Sequence, residues 1–246
     1  AAGQRSEAAR VPGRAGPSPV IRVALSGACG RMGTTVRALA AESDAIACTA
    51  LIDPAMGTSF ADCREEVDVA IDFSTAAALD EVLTFCVRLS VPLILATTGH
   101  DETAEERIAE AAERVAILQS ANLSYGAYVL AKLAEKAKAL LGGGYDIAII
   151  EAHHRAKKDA PSGTAKLLAG AMGLKDPQTL SIRAGAMVGV HEIGFYGERD
   201  TLFLRHDALD RRLFAKGALD AAKWIVGCAP GLYGLADFMA DREEKP

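Results

Sequence analysis

Between Glu151 and Ala165 the chain reads E-A-H-H-R-A-K-K-D-A-P-S-G-T-A, which gathers adjacent histidines, three cations and two carboxylates within fifteen residues. Histidine and lysine side chains can move protons, and a fold alone rarely requires so many titratable groups in one place. The run Tyr145 to Ile150 before it is apolar and β-branched enough for a buried strand, and Ala165 to Met172 after it reads as a helix. The charged stretch is therefore predicted to be a loop between regular elements, where sites usually sit. Pro161, Ser162, Gly163 and Thr164 open the helix, and free backbone N–H groups at such a start attract carboxylate or phosphate. Proton donors beside an anion cradle point to an enzyme acting on a small anionic molecule. A solvated charged loop is the plainer alternative. A metal centre built from Glu151, His153, His154 and Asp159 is a third, but adjacent histidines splay apart on most backbones. Arg155, Lys157 and Lys158 would also repel a divalent ion, so no metal is expected.

A second constellation lies nearer the start of the chain. Gly27-Ala28-Cys29-Gly30-Arg31-Met32-Gly33 follows a candidate strand, Ile21 to Ser26, and leads into a helix whose Met32, Val36, Leu39 and Ala40 share one face. Gly30 and Gly33 fit the second and third glycines of the dinucleotide fingerprint, while Ala28 stands at the first. A glycine there lets backbone approach a pyrophosphate whose charge the helix start receives. Asp53 lies twenty residues beyond Gly33, at the end of the next strand, Ile46 to Ile52. A carboxylate in that place hydrogen-bonds the adenosine ribose. Ala96-Thr97-Thr98-Gly99 and Ser120-Ala121-Asn122-Leu123 follow the fourth and fifth strands, so both loops are predicted to line the same crevice.

Strand–helix alternation from residue 20 to about 124 predicts a parallel sheet covered on both faces. The helix after the fourth strand is expected to begin near Thr103, with T-A-E-E as a capping box closed by Glu106. Beyond a long helix, Ser124 to Leu141, the breaker Gly142-Gly143-Gly144 and the strand-like runs Thr179–Ala184, Val188–Phe195 and Thr201–Arg205 predict a more antiparallel α+β domain. The fold class is therefore α/β: a Rossmann-like parallel-sheet cofactor domain, residues 20–124 completed by 214–246, plus an α+β substrate and oligomerisation domain, residues 125–213. Residues 1–19, rich in Ala, Gly, Arg and Pro and without an apolar h-region, read as a disordered leader rather than a secretory signal.

Bulk properties narrow the partners. Half of the 246 residues are hydrophobic, and the net charge of −5 comes with no long basic run, so neither nucleic acid nor an anionic membrane is expected as a partner. No apolar stretch approaches a bilayer span. Five scattered cysteines without C-x-x-C spacing predict neither a disulfide framework nor a zinc site, and suit a reducing cytoplasm.

Taken together, G-A-C-G-R-M-G, D-F-S, T-T-G, A-N-x-S and above all E-A-H-H-x-x-K-x-D-A-P-S-G-T-A resemble the 4-hydroxy-tetrahydrodipicolinate reductase (dihydrodipicolinate reductase) family over nearly everything after residue 20. R-A-G-x-x-V-G and A-P-G-L-Y further on agree. The resemblance implies NAD(P)H-dependent reduction of 4-hydroxy-tetrahydrodipicolinate to tetrahydrodipicolinate, in the diaminopimelate route to lysine. It makes His153 the family's proton donor/acceptor and Lys157 its proton donor. His154, Gly163 and Thr164 would hold the substrate's carboxylates. Gly27, Ala28, Cys29, Gly30, Arg31, Met32, Asp53, Ala96, Thr97, Thr98, Ser120, Ala121, Asn122 and Leu123 would contact the nucleotide. A homotetramer joined through the sheet of the substrate domain, and domains that close over a small dicarboxylate, are implied as well. Three departures stand out: Ala96 replaces a usual glycine, the region before Ser181 is short, and Pro54 stands where some relatives carry an arginine that can receive a 2′-phosphate. With Asp53 facing the ribose, Pro54 predicts that NADH serves at least as well as NADPH. The competing functions are a non-catalytic dinucleotide-binding redox sensor and an oxidoreductase of another small anionic imine.

Overall fold

The computed structural model describes residues 20–243; the expectation for residues 1–19 lies outside them. The chain divides into two compact units, one running to Ser120 and resuming at Ala215, the other spanning Ala121–Phe214.

The first unit is a six-stranded parallel sheet. Its strands are β1 (Ile21–Ser26), β2 (Ile46–Ile52), β3 (Val69–Asp72), β4 (Leu93–Leu95), β5 (Ala116–Gln119) and β10 (Gly231–Tyr233), in the order β10-β5-β4-β3-β1-β2. Every residue of β3 and β4 is buried, as expected of strands covered on both faces by helices. Helices α1 (Arg31–Ala41), α2 (Leu79–Leu89) and α3 (Glu102–Ala112) follow β1, β3 and β4. α2 buries Leu79, Val82, Leu83 and Cys86 at the i, i+3, i+4, i+7 spacing of a single apolar face. Removing each such aliphatic side chain from water contributes roughly 1.5–3 kcal/mol.

Two local expectations need correction. α3 starts at Glu102, next to Thr103 as expected, but its N-cap is Asp101, whose carboxylate accepts the Ala104 amide. An ionised carboxylate is the stronger acceptor for an orphan amide, so it displaces the Thr103 box. The sixth strand, β10, has no counterpart among the strands predicted from sequence. Three residues offer no readable alternation, and β10 is a strand only because β5 presents it a free edge. Helices α6 (Arg212–Ile225) and α7 (Leu235–Glu243) flank it.

The second unit holds a four-stranded sheet ordered β7-β6-β8-β9, built from β6 (Asp146–His153), β7 (Gln178–Arg183), β8 (Gly189–Tyr196) and β9 (Thr201–Ala208). β7 runs parallel to β6, while β8 and β9 alternate direction. Helices α4 (Tyr125–Leu141) and α5 (Gly163–Ala171) bury Leu130, Ala134, Leu168 and Met172 with Ile149, Ile193 and Phe195 of the sheet. The charged stretch is less of a loop than its composition predicts. β6 continues through Glu151 and Ala152 to His153, so the irregular segment begins only at His154.

Pleating then sorts the side chains. Glu151 pairs with Ser181 on one side and His191 on the other, and His191 pairs with His206. A polar row thus crosses the sheet on the face that α4 and α5 cover. The opposite face is uncovered within this unit and mixes apolar side chains with the ion-paired Glu192, Arg205 and Asp207. Leu180, Ile182 and Phe203 stand exposed on it beside Tyr196, whose ring crosses Gly194 and meets Phe203 edge-on.

Candidate active site

In the first unit the loop between β1 and α1 has the backbone that a phosphate group needs. Gly27 has φ +74°, and a Cβ there would lie 2.5 Å from the Phe73 carbonyl oxygen. A Cβ at Gly33 would lie 2.1 Å from the Gly27 carbonyl oxygen, so α1 can press onto the loop only without one. Gly30 is the N-cap of α1 and has no side chain to satisfy the first-turn amides, which leaves them for an anion. Asp53 closes the loop's far side, its carboxylate accepting the Cys29 amide at 2.9 Å and the Ala55 amide at 2.9 Å. These features fit a dinucleotide. Thr97 is buried at the end of β4 with its hydroxyl directed to the Asp72 carbonyl, Ala96 donates to the same carbonyl, and Ser120 donates to Leu95. Arg31, Met32 and Thr98 lie in the same two loop–helix segments.

Ala121, Asn122 and Leu123 belong to the second unit. The Asn122 side-chain amide donates to the Thr164 hydroxyl at 2.9 Å, and a Cβ at Gly163 would lie 3.7 Å from the Ala121 side chain. Residues expected at the nucleotide therefore also frame the predicted carboxylate cradle.

That cradle is the start of α5. Ser162 is its N-cap, with the hydroxyl accepting the Ala165 amide, while the amides of Gly163 and Thr164 have no acceptor within the helix. The Ser162 hydroxyl also meets His191 Nε2 at 3.1 Å, and its amide donates to Glu151 at 3.3 Å. Lys157 lies in the turn before it and reaches the Asp159 carboxylate at 2.9 Å. His153 ends β6, its ring edge-on to His191 with 5.1 Å between centroids. His154 comes next, half-buried, and its carbonyl accepts the Lys157 amide.

Behind these groups sits a buried charge network. Glu151 is wholly buried, and its carboxylate receives Arg183 at 2.6 and 2.9 Å and His153 Nδ1 at 2.5 Å. Burial by itself would raise its pKa, but hydrogen bonds from Arg183, Ser181 and His153 outweigh it and hold the carboxyl at about 2. For His153 burial dominates and lowers the pKa, against an opposing pull from Glu151. Burial likewise drives His191 down to about 4, helped by the nearby His153. Glu151, His153 and His191 bring potential ligand atoms within 4.8 Å of one another. Glu151 is already neutralised by a forked guanidinium, however, and a divalent ion would have to compete with that charge at close range.

The comparisons with known proteins agree with this layout. A family model described as dihydrodipicolinate reductase, N-terminus, matches residues 21–123, and its C-terminus counterpart matches residues 126–239. The chain belongs to the dihydrodipicolinate reductase family. Curated members include the 4-hydroxy-tetrahydrodipicolinate reductase of Thiobacillus denitrificans, 38% identical over 89% of this chain and 98% of that protein. The enzyme of the same name from Xanthomonas campestris pv. campestris is 39% identical over 90% of this chain and 98% of its own length. Among solved structures, a dipicolinate-bound dihydrodipicolinate reductase from Paenisporosarcina sp. TG-14 shares the fold, with a TM-score of 0.70 at 24% identity over 89% of this chain and 99% of that one.

Sequence reasoning gives Arg183 and His191 no role in this reductase. Arg183 opens the R-A-G motif, which is its one signal. His191 has none, because a lone histidine in an apolar strand looks like any half-polar core position. The buried histidines also predict acid lability. A histidine whose folded pKa is depressed binds protons more readily in the unfolded chain, so stability holds above 6.5 and is lost as pH falls towards 4. For His191 that amounts to roughly 2 kcal/mol between pH 7.5 and pH 5. Glu151 adds a loss of the same sign lower down, between 4.5 and about 2. Urea unfolding at pH 7.5 and pH 5 measures this directly. His191→Gln is expected to flatten the difference, and an unchanged slope in that variant would show that His153, His206 or other groups carry it.

Proposed function

We propose that this chain reduces 4-hydroxy-tetrahydrodipicolinate to tetrahydrodipicolinate with NADH or NADPH, in the diaminopimelate route to lysine. The observation that carries the reading is the unpartnered start of α5 at Gly163 and Thr164 beside His153 and Lys157, in a chain of this family. That is an arrangement for holding a carboxylate next to proton-transfer groups. The solved relative from Paenisporosarcina has dipicolinate bound, a dicarboxylate of the expected size.

The nicotinamide supplies a hydride when bound. This chain's residues do the rest: Gly30 and its helix start receive the pyrophosphate, Asp53 accepts from the ribose, and Gly163, Thr164 and His154 hold the substrate's carboxylates. Charge developing on the ring nitrogen is met by the Lys157 ammonium, which can also deliver a proton. A redox sensor would explain the glycine loop but leaves proton donors beside an anion cradle without a task. A reducing, cytoplasmic setting suits five cysteines that form no disulfide among the described residues, and no helix among those residues is long and apolar enough to cross a membrane.

The test is NADH consumption with freshly generated substrate, repeated with NADPH. Turnover with NADH at least as efficient as with NADPH is expected. The Asp53 carboxylate, anchored by two backbone amides, repels a 2′-phosphate. Pro54 and residues 55–61 bring no cation to offset it. Pro54→Arg is expected to shift kcat/KM towards NADPH. No oxidation of either cofactor would refute the activity, whereas a strong native preference for NADPH would refute only the Asp53 argument.

A homotetramer is part of the same reading. Leu180, Ile182 and Phe203 are large apolar side chains exposed on the uncovered face of the second unit's sheet, and pairing between subunits covers such side chains. Light scattering is expected to give about four times the chain mass at micromolar concentration. Phe203→Asp is expected to lower it, and a monomeric mass for the native protein would contradict the assembly.

A further inference from the structure

We propose that Glu151, clamped by Arg183, is the positioning residue for His153: its carboxylate accepts the hydrogen bond from Nδ1–H and thereby leaves Nε2 as the bare nitrogen offered to the reacting molecule. An ionised carboxylate accepts hydrogen bonds and donates none, so at 2.5 Å the Nδ1 of His153 must carry the hydrogen. In the neutral ring that leaves Nε2 without one. Nε2 has no hydrogen-bond partner among the described residues. It lies where a Cβ on residue 189 would come within 3.1 Å, so Gly189 keeps the space beside it open.

The clamp is built to hold Glu151 rather than merely to neutralise it. Both terminal nitrogens of Arg183 reach the carboxylate, one on each oxygen, and one of them also donates to the Asp159 carbonyl at 2.6 Å. Asp159 is the residue whose carboxylate holds Lys157. A single guanidinium therefore ties the strand that carries His153 to the turn that carries Lys157. A strand-to-strand ion pair with no role in the reaction would need neither the Nδ1 contact nor the bond to the turn. Lys157 and Arg183 face the same imidazole and both oppose its protonation, as does burial, while the His191 ring packs edge-on against it. Glu151 is the one group that favours it.

The inference rests on the reductase reading, but its first test does not. In the full-length protein labelled with ¹⁵N-histidine, without substrate at pH 7.5, the His153 resonances, assigned by their loss in His153→Gln, are expected to report the Nδ1–H tautomer. An Nε2–H tautomer would overturn the proposal whether or not the chain is a reductase. The second test is Glu151→Gln, expected to lower kcat at least about 10-fold with the cofactor KM unchanged. Removing the carboxylate's charge should also move the limb of the kcat–pH profile that His153→Gln abolishes to lower pH. An unmoved limb, or a loss of rate matched by a loss of folded protein, would reduce Glu151 to a structural ion pair. Should Glu151→Gln not fold, the tautomer in the native protein decides the question alone.

Discussion

Lys157→Ala is expected to lower kcat by about 10²–10⁴-fold while the fold and the cofactor KM stay as they are, because a positioned acid contributes on that order. Three features of the structure lead to this. Lys157 sits in the turn that leads to α5, its side chain is held by Asp159, and it shares this region with His153. Its loss leaves no buried partner unpaired, since Asp159 is half-exposed and water can take the ammonium's place. Circular dichroism and the urea midpoint are therefore expected to be nearly unchanged. Thr164→Ala provides the contrast: a carboxylate contact made equally in ground and transition states raises substrate KM and spares kcat. A Lys157→Ala enzyme with native kcat would remove the proton-donor role from this residue, and equal losses in both variants would mean that the cradle serves the transition state.

The second large effect is on stability. Arg183→Met is expected to destabilise the protein by about 3 kcal/mol or more, because it strands the Glu151 carboxylate at a fully buried position. Folding would then require that the carboxyl either take up a proton or remain charged without its counterion. The double variant Glu151→Gln/Arg183→Met is expected to recover much of the loss, since a neutral amide tolerates burial better than an unpaired charge. Equilibrium urea unfolding of the four proteins gives the coupling directly. Strict additivity would show that the two side chains do not act as a pair. The surface cluster of Arg22 with Asp68 and Glu66 makes a useful control: Arg22 remains well exposed to solvent, so its truncation is expected to matter little.

Much of this molecule is dictated by local sequence. The strands of the cofactor unit are short apolar runs that only a doubly covered parallel sheet accommodates, and the glycine loop with Asp53 marks the dinucleotide site by spacing alone. The fifteen residues from Glu151 name the chemistry, because proton donors and a helix start lie adjacent in the chain. The features that could not be read there depend on partners distant in sequence. β10 is three residues that become a strand only against the free edge of β5. The Thr103 cap lost to Asp101 because two competent acceptors lay within a single turn, and the carboxylate is the stronger of the two. Glu151 was visible as a charge beside two histidines, but its role depends on Arg183, thirty-two residues away on a parallel neighbour. Pairing registers decide which face a strand residue occupies, and a slip of one residue would have sent Glu151 to solvent. The residue types in the chain determined that titratable groups and a helix start lie side by side; only the sheet decided that the Glu151 carboxylate meets Nδ1 of His153.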